Sequence, residues 1–434
     1  MRKFSAIGLA AALTLLPVAA LAQASSPSPS DSGDTAWILI SSALVLLMTM
    51  PGLTLFYGGL VRAKNFLSVL VQVGAIAAVA SLLWIVCGYT IAFGAVTNGW
   101  LGAGSAVMLH GLAAVRANTL LPESAFALFQ LVFAAITPAL MVGAWVDRAR
   151  FGWVVGFCAL WSLIVYAPVA HWIWGGGWLA TSFGTLDFAG GIVVHTTAGV
   201  SALVAAIMLG KRQGFPRTLM LPHAPSLTMA GAALLWVGWF GFNGGSALAA
   251  NNSAAVAIIN THVAACMAAL VWIGIERFSV GKPTSVGFAT GAVAGLATVT
   301  PAAGFIAPEA AMLLGVCAAA VCYPMILLVK RRFKIDDSLD VFAVHGVGGI
   351  IGSLLLAVLI SPTLGGSGYA AGASMLSQIK AQFVGVGVVA LWSAAASAVI
   401  ALTVAKVIPM RVTGDDETEG LDLASHGERA WEFD

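Results

Sequence analysis

The sequence predicts an all-α membrane protein of eleven transmembrane helices, built as two inverted five-helix halves plus a final helix. Three observations predict it. Of the 434 residues, 60% are hydrophobic and only 9% charged, against roughly 25% charged in soluble domains, and mean hydropathy is +0.96. Apolar runs of about the 20 residues that a bilayer core requires follow one another along most of the chain. Basic residues gather in every second connection between those runs, the pattern of loops that alternate between cytoplasm and exterior. A net charge of +2 over this length creates no field for acidic polymers, so the expected environment is a lipid bilayer and no nucleic acid partner is expected.

Residues 1–24 have a basic start at Arg2 and Lys3, an apolar stretch over 4–21, and small residues at Ala20, Ala22 and Ala24. These are the three regions of a secretory signal peptide. Pro17 and the Ser/Pro-rich stretch 25–33 argue against an uncleaved first helix, and residues 25–35 read as a short periplasmic segment. The membrane domain then occupies 36–406, with spans expected at 37–60, 67–93, 124–145, 151–171, 188–209, 227–246, 254–275, 285–299, 310–329, 341–360 and 379–405.

Charge tests this division independently. Arg62 and Lys64, Arg148 and Arg150, Lys211, Arg212 and Arg217, Arg277 and Lys282, Lys330 to Lys334, and Lys406, Arg411 and Arg429 fall in alternate connections. With the signal's Arg2 and Lys3 set aside, only Arg116 and Lys380 lie on the other side. A wrong helix count would scramble such an alternation. The N-terminus is therefore expected outside and the C-terminus inside, with 407–434 a charged cytoplasmic tail that composition alone reads as solvated.

Interruptions at 174–177, 300–308 and 364–372 are rich in Gly or Pro and read as tight outer connections. Gly287, Gly291 and Gly295, spaced four apart, let neighbouring helices approach closely. The 5 cysteines are odd in number, contain no C-x-x-C and all lie in apolar runs, so they read as packing residues, with no disulfide framework or metal site expected.

Ionisable side chains at membrane depth cost at least about 2.5–3.5 kcal/mol on insertion scales, so each requires a reason. Asp187 and His195 belong to the fifth span and His345 to the tenth. Eight residues at 1.5 Å place His195 about 12 Å below Asp187 on nearly the same face. The tenth span runs the other way and its His345 lies about 8 Å in from the cytoplasmic end, so both imidazoles approach the middle. Matching depth in the fifth and tenth helices points to an inverted repeat with the solute path between its halves. His171 and His262 have no such counterpart and read as structural. Asp187 can also cap its helix by accepting N–H groups near Gly190. Aromatic residues bunch along the same route, among them Phe133, Trp174, Trp239 and Phe242, where a desolvating cation could rest on ring faces for about 1–2 kcal/mol.

These residues carry a resemblance to the ammonium transporter family (Amt/Mep/Rh), closest to its bacterial Amt branch. The matching segments are PGLTLFYGGL at 51–60, DFAGGIVVH at 187–195, GWFGFN at 238–243, DVFAVHGVGG at 340–349 and GLDLASHGE at 420–428. Such an ordered match along the mature chain is far more specific than a short motif. The resemblance implies a homotrimer in the bacterial inner membrane, each subunit with its own pore. It assigns Trp174, Phe133 and Ser246 to an outer ammonium site with Asp187 beneath, Phe133 and Phe242 to a stacked gate, His195 and His345 to a twin-histidine site, and Trp239 to the pore wall. It makes the tail a docking element for PII-type signal proteins. One residue more separates Trp174 from Asp187 than in the family pattern.

The chemistry suits these residue types. Ammonium and potassium match in charge and nearly in size, so discrimination has to come from hydrogen bonding and proton loss. A hydroxyl at Ser246 can accept an N–H, and an apolar lumen beyond the gate favours the neutral form by up to 3–5 pKa units. Neutral imidazoles then offer one donor and one acceptor each to ammonia. The released proton can follow through the histidines or return outside; these residues allow both. An intramembrane enzyme built on Asp187, His195 and His345 would lack a nucleophile elbow, an H-E-x-x-H and a second deep carboxylate, so no enzymatic activity and no cofactor is expected. A sensor that scarcely conducts would share every feature above, and a Rh-type channel for neutral gas would differ mainly at Trp174.

Overall fold

The computed structural model describes residues 30–218 and 220–431; the expected signal segment lies outside them. Among the described residues, ten helices are long and apolar enough to cross a membrane, and Ser285–Val299 is a shorter apolar helix. In chain order they are α1 (Ser32–Leu60), α2 (Ala63–Phe93), α3 (Glu123–Trp145), α4 (Phe151–Phe183), α5 (Gly191–Leu209), α6 (Pro225–Gly245), α7 (Asn252–Ser279), α8 (Ser285–Val299), α9 (Pro308–Arg332), α10 (Phe342–Leu359) and α11 (Met375–Ala405). Helices are the form this sequence must take in lipid, where every backbone N–H and C=O needs an internal partner.

Helix ends depart from the expected spans where side chains intervene. α7 starts at Asn252 because the Asn251 side chain accepts the N–H groups of Ser253 and Ala254, and α11 starts at Met375 because Ser374 and Ser377 form a capping box. The fifth span starts at Gly191 and not at 188, since Gly190 has φ +122 and cannot continue a helix backwards. α4 breaks at 174–177 and resumes as a short helix, Trp178–Phe183.

The three glycines of α8 all face α7. A Cβ at Gly287, Gly291 or Gly295 would lie 2.1 Å from Glu276 Oε1, 2.5 Å from Trp272 Cβ or 2.6 Å from the Ala264 carbonyl oxygen. Hydrogen at these positions is what lets the short helix sit against its neighbour.

The connections that carry most basic residues meet at one end of the bundle. There Arg212 pairs with Asp147 at 3.0 Å and with Asp336 at 2.8 Å. Burial works against the charge on Arg212, but hydrogen bonds and attraction from Asp336 and Asp147 outweigh it and raise its pKa. Burial likewise favours a neutral Asp336, and the Arg212 guanidinium overrides this and holds it below the ordinary carboxylate range. Arg148, fully buried, donates to the carbonyl oxygens of Gly210 at 2.9 Å and Asp336 at 2.7 Å and to Ser338 Oγ at 2.7 Å.

The tail is packed against this end and is not a free solvated segment. Val412 N donates to the Arg148 carbonyl at 3.1 Å, Ser68 N to Asp422 Oδ1 at 2.8 Å and Leu421 N to Asn65 Oδ1 at 2.7 Å. At the other end Arg116 pairs with Glu123 at 2.9 Å, its guanidinium 4.4 Å from the Phe126 ring centre. Lys380 is exposed.

Candidate functional site

A file of rings runs from the end opposite the basic loops into the middle of the bundle. Trp174, where α4 breaks, is half-buried and donates from Nε1 to the Asp187 carbonyl at 2.8 Å. That bond closes the connection between them, extra residue included, through the short helix and the left-handed turn at Gly184. The Trp174 ring meets Phe133 edge to face at 6.0 Å. Phe133 stacks on Phe242 with centres 4.2 Å apart and planes at 28°. Phe242 lies 6.1 Å from His195, and His195 stacks on His345 at 5.3 Å. Trp239 flanks the file 5.5 Å from His195, its Nε1 donating to Thr300 Oγ1 at 2.9 Å.

Ser246 stands one turn beyond Phe242 and donates its hydroxyl proton to the Phe242 carbonyl at 2.9 Å. Its oxygen is left with lone pairs to accept from a second partner.

Beneath Trp174 the Asp187 carboxylate is buried, and both oxygens are saturated by backbone donors. Oδ1 accepts from Gly190 N and Gly191 N at 2.8 Å, and Oδ2 from Ile192 N at 2.8 Å and Val193 N at 2.9 Å. These are the unpaired N–H groups of the first turn of α5, where the helix dipole also favours a negative charge. Asp187 thus ends α5 electrically with its carboxylate, while its backbone carbonyl accepts from Trp174.

α10 begins at the basic end and runs opposite to α5. Its first turn is held by Asp337, with Val341 N at 3.1 Å and Phe342 N at 2.7 Å, rather than by Asp340. Asp340 instead adopts φ +64 and pairs with Lys330 at 2.7 Å. The signal was present in the sequence: Asp337 precedes His345 by eight residues, as Asp187 precedes His195.

The two rings meet because both helices are notched where they cross. A Cβ at Gly199 would lie 2.2 Å from Gly346 N, and one at Gly349 would lie 2.7 Å from His195 Cβ and 2.5 Å from the Gly191 carbonyl oxygen. Each glycine follows its own histidine by four residues and admits the partner helix. The result is a contact of 3.3 Å between His195 Nδ1 and His345 Nδ1, with His195 1% and His345 3% exposed. One Nδ1 donates and the other accepts, which leaves the two Nε2 atoms in opposite roles, one an acceptor and one a donor. His195 Nε2 has no hydrogen-bond partner among the described residues.

The lumen beside the rings is a cavity of about 10 Å3 lined by Leu53, Ile136, Val194, Leu235, Trp239 and both histidines, among other apolar residues. That is near the lower limit for one water molecule. His345 also lines a second cavity of about 680 Å3 that reaches the basic loops. The cavity has room for one molecule of water size that accepts and donates hydrogen bonds, while its apolar wall opposes a bare charge.

The remaining histidines are elsewhere. His171 Nδ1 lies 3.0 Å from the Ala92 carbonyl oxygen. His262 is exposed on the outer face of α7, against Trp236 and Phe240 and 3.7 Å from Cys266 Sγ. No cluster of three or more metal-ligating side chains occurs among the described residues.

Comparison with known proteins adds the family. A family model described as Ammonium Transporter Family matches residues 36–431. The chain is 46% identical to "Ammonium transporter" of Aquifex aeolicus, over 92% of this chain and 94% of the relative. It is 42% identical to the Bacillus subtilis protein of the same description, over 92% and 98%. Among solved structures, Saccharomyces cerevisiae Mep2 superposes with a TM-score of 0.82 at 35% identity, over 90% of this chain and 91% of that one. A chain described as "Sensor Amt Protein" superposes with a TM-score of 0.85 at 30% identity, over 91% and 98%.

Proposed function

Because the chain belongs to the ammonium transporter family, we propose that it takes up NH4+ at Trp174, Phe133 and Ser246, removes a proton, and conducts ammonia along His195 and His345. The observation that carries this reading is the file of rings: an aromatic face open at one end, a stacked pair across the route, and two bonded imidazoles in a lumen too narrow and apolar for a hydrated ion. A cation is attracted to the ring faces at the mouth. The Ser246 oxygen accepts one of its N–H groups, and the Asp187 carboxylate below adds attraction through a short path of buried protein. Past Phe133 and Phe242 the wall offers no oxygens to replace a hydration shell, so the charged form is disfavoured and the neutral one is not. Potassium has no proton to lose.

Four features complete the proposal. The basic end is cytoplasmic and the Trp174 end periplasmic, as the alternation of Lys and Arg supports. The short helix α8 serves as the eighth of eleven spans, in two inverted five-helix halves plus α11, a plan supported by the opposite directions of α5 and α10. The assembly is a homotrimer in a bacterial inner membrane, reached through a signal peptide over 1–24. His262 supports subunit contact: it lies ten residues into the 28-residue helix α7 and faces outward, and a second copy would relieve the cost of exposing a polar ring to lipid. The tail packed against the basic end fits a regulatory surface for a PII-type protein.

Uptake of labelled methylammonium into vesicles, compared for the parent, Trp174→Leu and His195→Ala, tests the reading. The expected outcome is weaker apparent affinity in the first variant and lost selectivity over potassium in the second. No uptake by the parent would sink conduction and favour a sensor, and unchanged uptake in both variants would remove the site.

A further inference from the structure

The large cavity below His345 carries more positive charge than its carboxylates neutralise. Its wall includes Arg62, Arg212, Arg217, Lys330 and Arg331 against Asp147 and Asp340. Two of these cations are committed, Arg212 to Asp147 and Asp336, and Lys330 to Asp340. Three are not. Arg62 Nε is 3.8 Å from Asp147, beyond hydrogen-bond length. Its Nε and Nη2 are shielded from solvent yet lack a hydrogen-bond partner among the described residues. Arg217 and Arg331 form no ion pair among the described residues.

We propose that this vestibule binds a compact oxyanion of the phosphate class, with Arg62, Arg217 and Arg331 as its ligands. Guanidinium groups present paired donors in a fixed fork that matches phosphate oxygens, and they remain charged at any physiological pH. Two Arg62 nitrogens lack an acceptor while the side chain keeps 28% of its surface exposed, so a small turn of the guanidinium toward an anion in the cavity satisfies donors that are otherwise unpaired. The volume, about 680 Å3, falls in the range of small-molecule sites and is far larger than ammonia requires. The lining charges sum to +3, which opposes any cation formed when ammonia takes up a proton near His345. A dianion brings that sum to +1. Anion occupancy would therefore ease ammonium exit, a consequence that rests on the proposed transport function, whereas binding itself does not.

The same chemistry can come from free phosphate or from the headgroup of an anionic lipid. Calorimetric titration of the full-length protein in nanodiscs of phosphatidylcholine, without ammonium and at pH 8, uses inorganic phosphate as the probe with chloride at matched ionic strength as reference. Saturable phosphate binding is expected, weakened tenfold or more by Arg62→Gln and by Arg217→Gln and unchanged by Lys406→Gln, which lies outside the cavity. Arg217 sits in an exposed loop, so its variant keeps the test valid if Arg62→Gln fails to fold. In a second arm, nanodiscs containing phosphatidic acid identify the source: competition with phosphate assigns the site to the headgroup, and undiminished binding assigns it to the free ion. No saturable binding in the first arm, binding unchanged by Arg217→Gln, or binding of a polyglutamate peptide without phosphate would overturn the proposal. Because no transport is measured, failure here leaves the uptake experiment to judge the transport function.

Discussion

Leading into α5, a carboxylate at Asp187, a positive-φ residue at Gly190, the buried His195 and a notch at Gly199 follow at intervals of three, five and four residues; Asp337, Asp340, His345 and Gly349 repeat those intervals leading into α10. Both segments also begin with a widened π-helical turn that contains the histidine. The backbone problem is the same in each: start a helix inside the protein, satisfy its first N–H groups, and bring an imidazole to a crossing point. What differs is the surroundings. Asp187 accepts four backbone bonds and forms no ion pair among the described residues. Asp337 accepts two and sits beside Asp340, Lys330 and the Arg212 cluster. One geometry is thus set around a single buried carboxylate without an ion pair at one end and within a cluster of ion pairs at the other.

Asp187→Ala is the strongest way to break this comparison. It strips four first-turn donors of their acceptor and should cost on the order of 4 kcal/mol, about twice the loss for Asp337→Ala. Thermal unfolding in detergent measures both, and equal losses would show that bond number is not what separates the two caps. Next come the notches. Gly199→Ala places a Cβ 2.2 Å from Gly346 N, and Gly349→Ala places one 2.5 Å from the Gly191 carbonyl oxygen. Each should cost about 1–3 kcal/mol and part the two rings, so methylammonium uptake should fall in both variants even where the protein stays folded. Retained uptake with full stability would mean that the crossing is more compliant than its contacts indicate.

The pH dependence sharpens the difference in surroundings. Burial, and then the neighbouring Asp340, push the Asp337 carboxyl up to about 6 from 3.8. Its pKa is higher in the fold than in the unfolded chain, so its contribution is full below about pH 4 and is lost as pH rises through about 6. Unfolding of the parent between pH 4 and 6 should therefore carry a falling component of up to about 2 kcal/mol that is absent from Asp337→Asn. Coincident profiles would break this reading. The smallest effect belongs to Asp340→Asn. Asparagine tolerates the left-handed backbone, and the partly exposed pair with Lys330 is worth at most about 1 kcal/mol. A loss above about 2 kcal/mol would mean that Asp340 does more than fill a turn.

The same two segments show how much of the site was legible beforehand. His195 and His345 stand out in the sequence because an imidazole in an apolar run is costly wherever the run folds. Asp187 stands out for the same reason. Asp337 lies just before the expected span 341–360, and its role at the start of α10 depends on Asp340 taking a positive φ, which no local pattern sets. The tail reads as solvated from composition, yet its Asp422 and Leu421 are bonded to Ser68 and Asn65 of α2, partners more than 350 positions away.

By itself the sequence determined the number and order of apolar runs, their alternation of charge and the identity of the ionisable residues within them. These are local quantities that a bilayer reads directly, through its thickness and its penalty for charge. Only the tertiary structure decided that two imidazoles 150 positions apart touch through Nδ1, that two glycines open the crossing, and that arginines from separate loops face one cavity. Such contacts depend on how the helices cross and where each backbone turns, and no stretch of chain the length of a single span contains that information.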